Sequence, residues 1–352
     1  MQKAVDKLLA PEGPAERHEE KLPNVSIIVP VRNEERYLNY CLDSIAKQTY
    51  PHKLIEILIV DGRSEDNTKM IAEKFAEKAD ITVRILENSS GNTPCGLNIG
   101  YKNAKGDIFI HFIGHAMMPQ DFVEKNVTYI IKTEADAVGG LIISSCLEDK
   151  VIPKGIGYAL NSPFGLGGVT ARTGTKAGYI DNPSFAAYRK ELFDKYGYID
   201  ERLTRNQDYE FNQRITSQGA KIFFTPEIKS YYFNRPDYKS LWREYLNAAK
   251  WRTYMVGRFA NALRKRHFVP PLLILSLVTL GILSFFSLWA LGGLLGVLGL
   301  YLLAALGSSA LVAVRRRGLK YLPAIFLSYL VIHLAYGLGF IWGFIYFFIL
   351  GL

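Results

Sequence analysis

The sequence predicts a doubly wound α/β domain followed by a C-terminal transmembrane helical region. Short β-branched runs alternate with amphipathic helical patterns between Val25 and Leu86, which is typical of a parallel sheet with right-handed crossovers. No charged residue occurs from Val269 to Val314, and this run is about twice as long as the ~20 residues that cross a bilayer. A second uncharged run extends from Tyr321 to Leu352. We therefore predict an integral membrane protein.

The soluble part begins with three strand patterns. Val25–Val31, Ile55–Val60 and Ile81–Leu86 are rich in Val and Ile, as buried parallel strands are. Helical patterns at 37–48 and about 68–78 separate them. Ligands of such sheets bind beyond the carboxyl ends of the strands, so the residues that follow the first two strands are candidates for a site.

Acidic side chains follow these two strands. Glu34 comes shortly after the first, and Asp61 ends the second. The absence of a G-x-G-x-x-G or Walker A sequence argues against a dinucleotide oxidoreductase and a P-loop enzyme. Carboxylates accept hydrogen bonds from ribose hydroxyls and from a base N–H, which suits the nucleoside half of a nucleotide sugar. The alternative is that each acid is a helix N-cap or a turn residue.

A fourth strand is predicted from Asp107 to His115. Alternation with period two would place His111, Ile113 and His115 on one face of this strand. His115 would then lie at the end of the strand, beside the expected cleft.

A candidate catalytic helix begins near Asn206. Asn206 is predicted to cap it, and Asp208 and Glu210 fall in its first turn, where the helix dipole favours negative charge. A carboxylate held there is suited to act as a general base on a hydroxyl. The alternative is a capped surface helix that carries a Glu210–Arg214 ion pair.

Two further segments have a distinctive composition. Residues 155–180 are rich in glycine, which fits either a mobile loop over the cleft or an ordinary surface connection. Residues 238–263 mix Trp and Tyr with Lys and Arg in an amphipathic pattern. This pattern favours a helix at the membrane–water interface, and the alternative is a helix packed on the catalytic domain.

The composition limits the partners. The net charge of +9 fits a protein that lies against anionic lipid, and because the basic residues cluster beside the apolar runs, nucleic-acid binding is disfavoured. Cys41, Cys95 and Cys146 are far apart and form no CxxC. Their spacing argues against a zinc site or a disulfide framework, and it fits a reducing compartment.

Three membrane spans are predicted. Val269–Val314 fits two spans with a turn near 289–293, and Ala324–Phe348 fits a third. Cationic residues flank the start of the first span and the link at 315–320, so the positive-inside rule predicts a multi-pass protein of the cell membrane with a cytoplasmic catalytic domain. His333 lies within the third span, where a neutral histidine bonded to a neighbouring helix is the favoured interpretation over a functional group.

The predicted division of the chain has four parts. Residues 1–23 form an N-terminal arm and 24–237 the catalytic domain. Residues 238–267 form the amphipathic interface helix, and 268–352 the membrane region.

Five motifs in order resemble the family-two glycosyltransferases, which have the GT-A nucleotide-diphospho-sugar transferase fold. Among them are Pro-x-Arg-Asn-Glu after the first strand and Val-Asp-Gly-x-Ser-x-Asp-x-Thr after the second. The segments Asn182–Arg189 and Arg205–Asn212 resemble the branch of succinoglycan-type membrane glucosyltransferases more specifically. The resemblance extends over about residues 24–260.

This resemblance implies roles for individual residues. Asp208 matches the catalytic base of the family. The implied donor-binding residues are Pro30, Arg32, Glu34, Asp61 and Asn98, and the implied acceptor-side or supporting residues are Gln207, Glu210 and Arg214.

The implied metal site departs from the family pattern. The family ends its fourth strand in Asp-x-Asp, or Asp-x-His in this branch, to hold a divalent metal on the donor diphosphate. Here the matching residues are Ile113, Gly114 and His115. Isoleucine cannot bind a metal, whereas neutral imidazole can, so His115 is the candidate ligand of a Mn or Mg cofactor. Arg172 or Lys176 could neutralise the diphosphate instead.

The predicted function is therefore inverting transfer of a hexose from a nucleoside-diphosphate sugar to a lipid-linked acceptor. The alternatives are a polyprenyl-phosphate sugar synthase, which the acidic segment at 206–210 disfavours, and a processive polysaccharide synthase, which would carry a Gln-x-x-Arg-Trp motif that is missing here. A non-catalytic membrane scaffold that kept the fold is a third alternative, because Ile113 replaces a metal ligand.

Overall fold

The computed structural model describes residues 22–256, 258–259 and 263–351. The predicted N-terminal arm, 1–23, lies almost entirely outside them. The contacts divide the chain into two compact units. Of the described residues, the first unit holds 22–143 and 174–232, and the second holds 144–173 and the chain from Phe233 onward. This division differs from the predicted continuous domain 24–237, because residues 144–173 join the membrane region.

One mixed sheet organises the first unit. Its order is β3-β2-β1-β4-β8-β6-β9-β5, with β7 beside β9. Strands β1 to β4 pair in parallel, as predicted, and β8 enters antiparallel to both β4 and β6. The strands are β1 (Val25–Val31), β2 (Ile55–Asp61), β3 (Thr82–Glu87), β4 (Ile108–His111), β5 (Ala116–Met117), β6 (Ala137–Ser145), β7 (Gly178–Tyr179), β8 (Ser184–Arg189) and β9 (Ile222–Phe233).

Helices cover both faces of this sheet and form most of the second unit. In chain order they are α1 (Leu38–Ile45), α2 (Thr68–Ala76), α3 (Thr93–Asn103), α4 (Phe122–Thr133), α5 (Val151–Leu160), α6 (Pro163–Leu166), α7 (Thr170–Thr173), α8 (Glu191–Tyr196), α9 (Gln207–Ser217), α10 (Tyr238–Thr253), α11 (Lys265–Leu283), α12 (Leu288–Arg315) and α13 (Leu322–Phe344). Short 3-10 turns occur at His52–Leu54 and Leu319–Tyr321, and a π-helical turn at Ile345–Ile349.

The sheet separates two hydrophobic cores. On one face, Ile27, Ile57 and Ile110 pack with residues of α1 and α4. On the other face, Phe109 packs with Phe211 of α9 and with residues of α3 and α8. This alternation of strand residues between two covered faces fixes which side chains of β4 lie next to α9.

The second unit is held together by close helix packing. A Cβ atom at Gly155 of α5 would overlap Ala324 of α13, and one at Gly339 would overlap the backbone of Leu246. Gly343 approaches the backbone of Lys250 in the same way. Glycines four residues apart on a membrane helix let a neighbouring backbone come near, so α10 and α5 can lie directly against α13.

Neither alternative for the glycine-rich segment, a mobile loop over the cleft or an ordinary surface connection, holds for residues 155–160. These residues belong to α5, whose buried face includes Ile156, Ala159 and Leu160. Gly155 and Gly157 therefore serve helix packing rather than mobility. Composition alone could not distinguish the two uses of glycine, because both need a missing side chain.

Among the described residues, three helices are long and apolar enough to cross a membrane, in agreement with the predicted number. They are Lys265–Leu283, Leu288–Arg315 and Leu319–Ile349. The link between the first two lies at 284–287, slightly before the predicted turn at 289–293. The amphipathic helix predicted over 238–267 ends at Thr253. His333 bonds Tyr301 and the carbonyl of Phe164, as the favoured interpretation required.

Candidate active site

The loops after β1 and β2 are fastened to each other. The backbone N–H of Asn33 donates to Ser64 Oγ (3.0 Å), and that of Glu34 donates to Thr68 Oγ1 (2.7 Å). Asn33 has a positive φ of 55°, a left-handed conformation that asparagine tolerates better than most residues. The carboxyl ends of the two strands thus form one ordered rim.

Asp61 lies within this rim and is 7% exposed. Its Oδ1 accepts the hydroxyl of Ser64 (2.6 Å), and its Oδ2 accepts the backbone N–H of the same residue (3.2 Å). These bonds make Asp61 a turn-stabilising residue. Its predicted contact with the donor stays a prediction.

Glu34 and His115, which are 81 positions apart in the chain, come together at the rim. Glu34 Oε1 lies 2.6 Å from His115 Nδ1, and both side chains are largely buried. Because a carboxylate only accepts, Nδ1 carries the proton of this hydrogen bond, and in the neutral tautomer Nε2 holds the lone pair.

The other predicted donor-binding residues have mixed surroundings. Arg32 donates to the carbonyl of Gly91 (3.1 Å) and so ties in the loop after β3. Pro30 faces Gly96 of α3. Asn98 is 4% exposed, and its amide bonds Ile199 and Glu201. Asn98 therefore links α3 to that segment, and its contact with a donor stays a prediction.

The side chains around His115 supply few possible metal ligands. Among the described residues, no group of three or more His, Cys, Asp or Glu side chains could hold a metal ion. Ile113 packs against the hydrophobic core, and its carbonyl accepts the thiol of Cys41 (3.3 Å). A histidine that binds a metal commonly donates its other N–H to a carboxylate, and the Glu34–His115 pair has this form. The residues present therefore fit one protein ligand, His115 Nε2.

Strand β4 ends at His111, before the predicted end at His115. The prediction that His111, Ile113 and His115 share a face was therefore wrong, since the alternation stops where the strand stops. His111 is 8% exposed, and its Nε2 is buried without a hydrogen-bond partner.

Helix α9 presents Asp208 in its first turn, as predicted. Asp208 is half-buried, and its Oδ1 accepts the backbone N–H of Tyr209 (2.8 Å). Asn206 occupies the N-cap position, but its φ is 60° and its side chain does not cap the helix. The expected cap was wrong because a left-handed N-cap residue turns its side chain away from the first N–H groups.

The negative charge of Asp208 affects the pKa of one side chain on β4 and one on β8. Burial lowers the pKa of His111 below its ordinary value, and the nearby Asp208 carboxylate opposes that change. Burial, and then Asp208, raise the pKa of the Tyr188 phenol. Asp208 therefore lies next to the face of the sheet that carries His111. His111 in turn ends β4, the strand that leads to His115.

The remaining residues of α9 hold the helix in place. Glu210 is 6% exposed, and its Oε1 accepts from Arg214 Nε (2.9 Å). Arg214 also donates to the carbonyls of Tyr196 and Tyr198. The predicted ion pair exists, but it joins a buried Glu210 to a partly buried Arg214 and is structural rather than a feature of a surface helix. Gln207 is the half-buried first residue of α9.

Sequence reasoning missed a hydrogen-bonded chain beneath Asp208. The Tyr188 hydroxyl donates to Asn212 Oδ1 (2.9 Å), and Asn212 Nδ2 donates to Asn182 Oδ1 (2.8 Å). This chain joins the two segments that resembled the succinoglycan-type branch. The polar residues in both segments were the available signal. A hydrogen bond between residues 30 positions apart, however, depends on the fold and is not visible in the sequence.

The model of the family Glycosyl transferase family 2 matches residues 26–197. A dolichyl N-acetyl-alpha-D-glucosaminyl phosphate 3-beta-D-2,3-diacetamido-2,3-dideoxy-beta-D-glucuronosyltransferase of Methanococcus voltae is 30% identical over 272 residues, which cover 74% of this chain and 83% of the relative. The chain belongs to glycosyl transferase family 2.

Other relatives of this glycosyltransferase agree. The succinoglycan biosynthesis protein ExoA of Rhizobium meliloti is 27% identical over 89% of this chain and 93% of its own length. A mannosyltransferase of Pyrobaculum calidifontis, solved with GDP-Man and Mn²⁺, superposes with a TM-score of 0.58 at 18% identity, covering 97% of this chain and 93% of that one. The predicted family, GT-A fold and enzyme class are confirmed.

Proposed function

We propose that this glycosyltransferase transfers a hexose, with inversion, from a nucleoside-diphosphate sugar to a lipid-linked saccharide at the cytoplasmic face of the cell membrane. The observation that carries the proposal is the placement of Asp208. This half-buried carboxylate in the first turn of α9 lies near His111. His111 ends β4, the strand that leads to the Glu34–His115 pair.

Asp208 acts as the general base. It takes the proton of the acceptor hydroxyl while that oxygen bonds to the anomeric carbon of the donor sugar. The bond from the anomeric carbon to the diphosphate oxygen breaks at the same time, and the nucleoside diphosphate leaves. Attack opposite to the leaving group inverts the anomeric configuration.

The rim at the ends of β1, β2 and β4 binds the donor. Pro30, Arg32 and Asp61 would contact the nucleotide, and His115 Nε2 would hold Mn²⁺ or Mg²⁺, oriented by Glu34. When bound, such a cation supplies positive charge to the leaving diphosphate.

A lipid-linked acceptor is supported by the second unit and by the relatives. In the part of the chain that the structure describes, three helices are long and apolar enough to cross a membrane. One relative is named for a dolichyl phosphate sugar and another for succinoglycan biosynthesis. Arg264 to Arg266 lie at the start of the first span and Arg315 to Arg317 at the end of the second. By the positive-inside rule, these cations support a cytoplasmic location of both ends and of the catalytic unit.

The test is transfer by the full-length protein in lipid bilayers, across a panel of nucleotide sugars with polyprenyl-linked saccharide acceptors. We expect one donor to support transfer with an inverted linkage, read by NMR of the product, and excess chelator to reduce the rate. Transfer to bare polyprenyl phosphate would support a polyprenyl-phosphate sugar synthase instead. Donor binding without turnover on any acceptor would support a scaffold.

A further inference from the structure

Helix α10 lies parallel to α13 and follows most of its length. Near the start of α13, the Tyr238 hydroxyl donates to the carbonyl of Ala324 (3.2 Å). Near the end of α13, the ring of Trp251 packs on that of Phe347, with centroids 5.3 Å apart. The close glycine contacts between the two backbones lie between these points. Because the contacts extend along both helices, α10 shares whatever depth α13 has in the bilayer.

The outer face of α10 is polar. Lys239, Arg243 and Asn247 follow one another at intervals of four residues, so they form one row along the helix, and all three are exposed. If α13 crossed the bilayer, this row would pass through hydrocarbon beside it. A single Lys or Arg at the centre of a span costs about 2.5–3.5 kcal/mol, and hydrocarbon offers no hydrogen-bond partner to an amide. The row is therefore suited to water and not to the interior of a bilayer.

The two basic segments of the membrane region meet α13 at opposite ends. Residues 315–317 are separated from the start of α13 by one short turn. Residues 264–266 lie at the start of α11, where Phe268 packs on Phe340 of α13 with ring centroids 5.8 Å apart. Phe340 lies about 27 Å along the helix from the first residue of α13, close to the ~30 Å of a hydrocarbon core. Since the positive-inside rule places both basic segments on one side, α13 cannot cross the bilayer between them.

The hairpin formed by α11 and α12 has the opposite character. Both helices are described over their full length, and the last buried residue of α11 is Ile274, while the first of α12 is Ala305. Between them the hairpin extends away from α13. At its tip, Phe286 is 84% exposed and Trp289 is 92% exposed. Large apolar side chains with so little protein around them are suited to lipid, so this hairpin is the part that enters the bilayer.

We propose that only α11 and α12 cross the bilayer, and that α13 lies with α10 in the plane of the membrane surface. The most apolar stretch of the third candidate span is 50% buried in protein, against 17% in each of the other two. The exposed side of α13 includes Leu327, Leu338 and Ile349, and this side rests on the lipid as that of an interfacial helix does. The end of α13 then lies on the same side of the membrane as residues 264–266 and 315–317.

The test measures the depth of spin labels on the full-length protein in liposomes, with the native cysteines replaced by Ala. Single cysteines replace Leu327, Leu338 and Ile349, which are exposed and follow one another at intervals of eleven residues, or three helical turns. We expect the three labels to lie at one shallow depth, as measured by collision with oxygen and with a water-soluble nickel complex. A label at Leu338 that lies about 16 Å deeper than the other two would show a crossing helix and overturn the inference.

The matched control uses exposed positions on α12. Cysteines at Leu295, Leu303 and Leu311 should give a label that is deepest at Leu303, by about 12 Å, which is the rise of eight residues. Equal depths on α12 would overturn the crossing of the hairpin. Neither measurement needs turnover, so failure of the proposed function would leave both results unchanged.

A second measurement locates the end of the chain. A cysteine in a short Gly-Ser extension after Leu352 should react with a membrane-impermeant maleimide from the same side as Arg315→Cys, and Ser287→Cys should react from the other side. Reaction of the extension from the side of Ser287→Cys would overturn the inference. Reaction of all three from one side would overturn it as well, because the hairpin would then not cross.

Discussion

The two units of this glycosyltransferase differ in the supply of carboxylates to their cations, because no Asp or Glu follows Glu244 in the sequence. In the first unit, charged groups face partners of the other sign, as in Glu210–Arg214 and Arg84–Glu56. In the second unit, acids up to Glu244 form ion pairs such as Arg235–Glu244, and later cations lie over aromatic rings. Lys250 Nζ is 3.3 Å from the ring centroid of Tyr346, and Arg258 is 3.5 Å from that of Tyr254. In this part of the chain π faces take the place of carboxylates, which are costly to bury near lipid.

This contrast predicts that the loss of single charges will matter most in the first unit. The largest effect is expected for Asp208→Asn, because the amide cannot accept the proton of the acceptor hydroxyl. We expect the transfer rate to fall by about 10²–10⁴, with donor affinity unchanged, in a steady-state assay and a donor titration. Asp194→Asn, an exposed acid in the first turn of α8, is the control and should retain full activity. Normal turnover by Asp208→Asn would remove its role as base.

The second largest effect concerns the stability of the first unit. Glu210→Ala leaves the partly buried Arg214 without its carboxylate, and the cost is at most the roughly 3–5 kcal/mol of a fully buried pair. We expect a marked fall in the melting temperature in detergent. The double variant E210L/R214M should recover part of the loss, because no uncompensated charge remains. Equal stability of Glu210→Ala and the wild type would show that the pair contributes little.

A smaller effect is expected in the second unit, from the close packing of its helices. Gly155→Leu should force α5 away from Ala324 and cost about 1–3 kcal/mol, as overpacking does. Gly299→Leu on α12, where an added Cβ atom would meet nothing within 4 Å, is the matched control. Thermal unfolding of both variants in the same detergent checks this, and equal losses would contradict the packing account.

The smallest effect is a pH dependence. The pKa of His111 is lowered by burial from its ordinary value of 6.5, so below that pH the unfolded chain binds a proton that the folded chain does not. Stability should therefore fall as pH drops below about 6.5, by at most ~1.4 kcal/mol per pH unit. His111→Gln should flatten this part of the profile and leave the stability difference constant above pH 7. An unchanged slope would exclude His111 as its cause.

Local patterns predicted the strands β1 to β3, the acids in the first turn of α9, the Glu210–Arg214 pair and the number of helices that are long and apolar enough to cross a membrane. These depend on periodicity and short spacing, which a single sequence shows. The Glu34–His115 pair, the Tyr188–Asn212–Asn182 chain and the packing of Gly155 on Ala324 depend on residues far apart in the chain. The left-handed backbone conformation of Asn206 was not predicted, because the propensity of a residue for capping does not determine its φ angle.

The fastened loops after β1 and β2 have a consequence for the speed of ligand capture. Holding a backbone residue in one conformation costs about 1–2 kcal/mol, and here Asn33, Glu34, Ser64 and Thr68 are already held by hydrogen bonds within the folded chain. A nucleotide that arrives at this rim would meet an ordered surface and would not need to order it. Its association rate should then be set by diffusion and charge rather than by the closing of these loops.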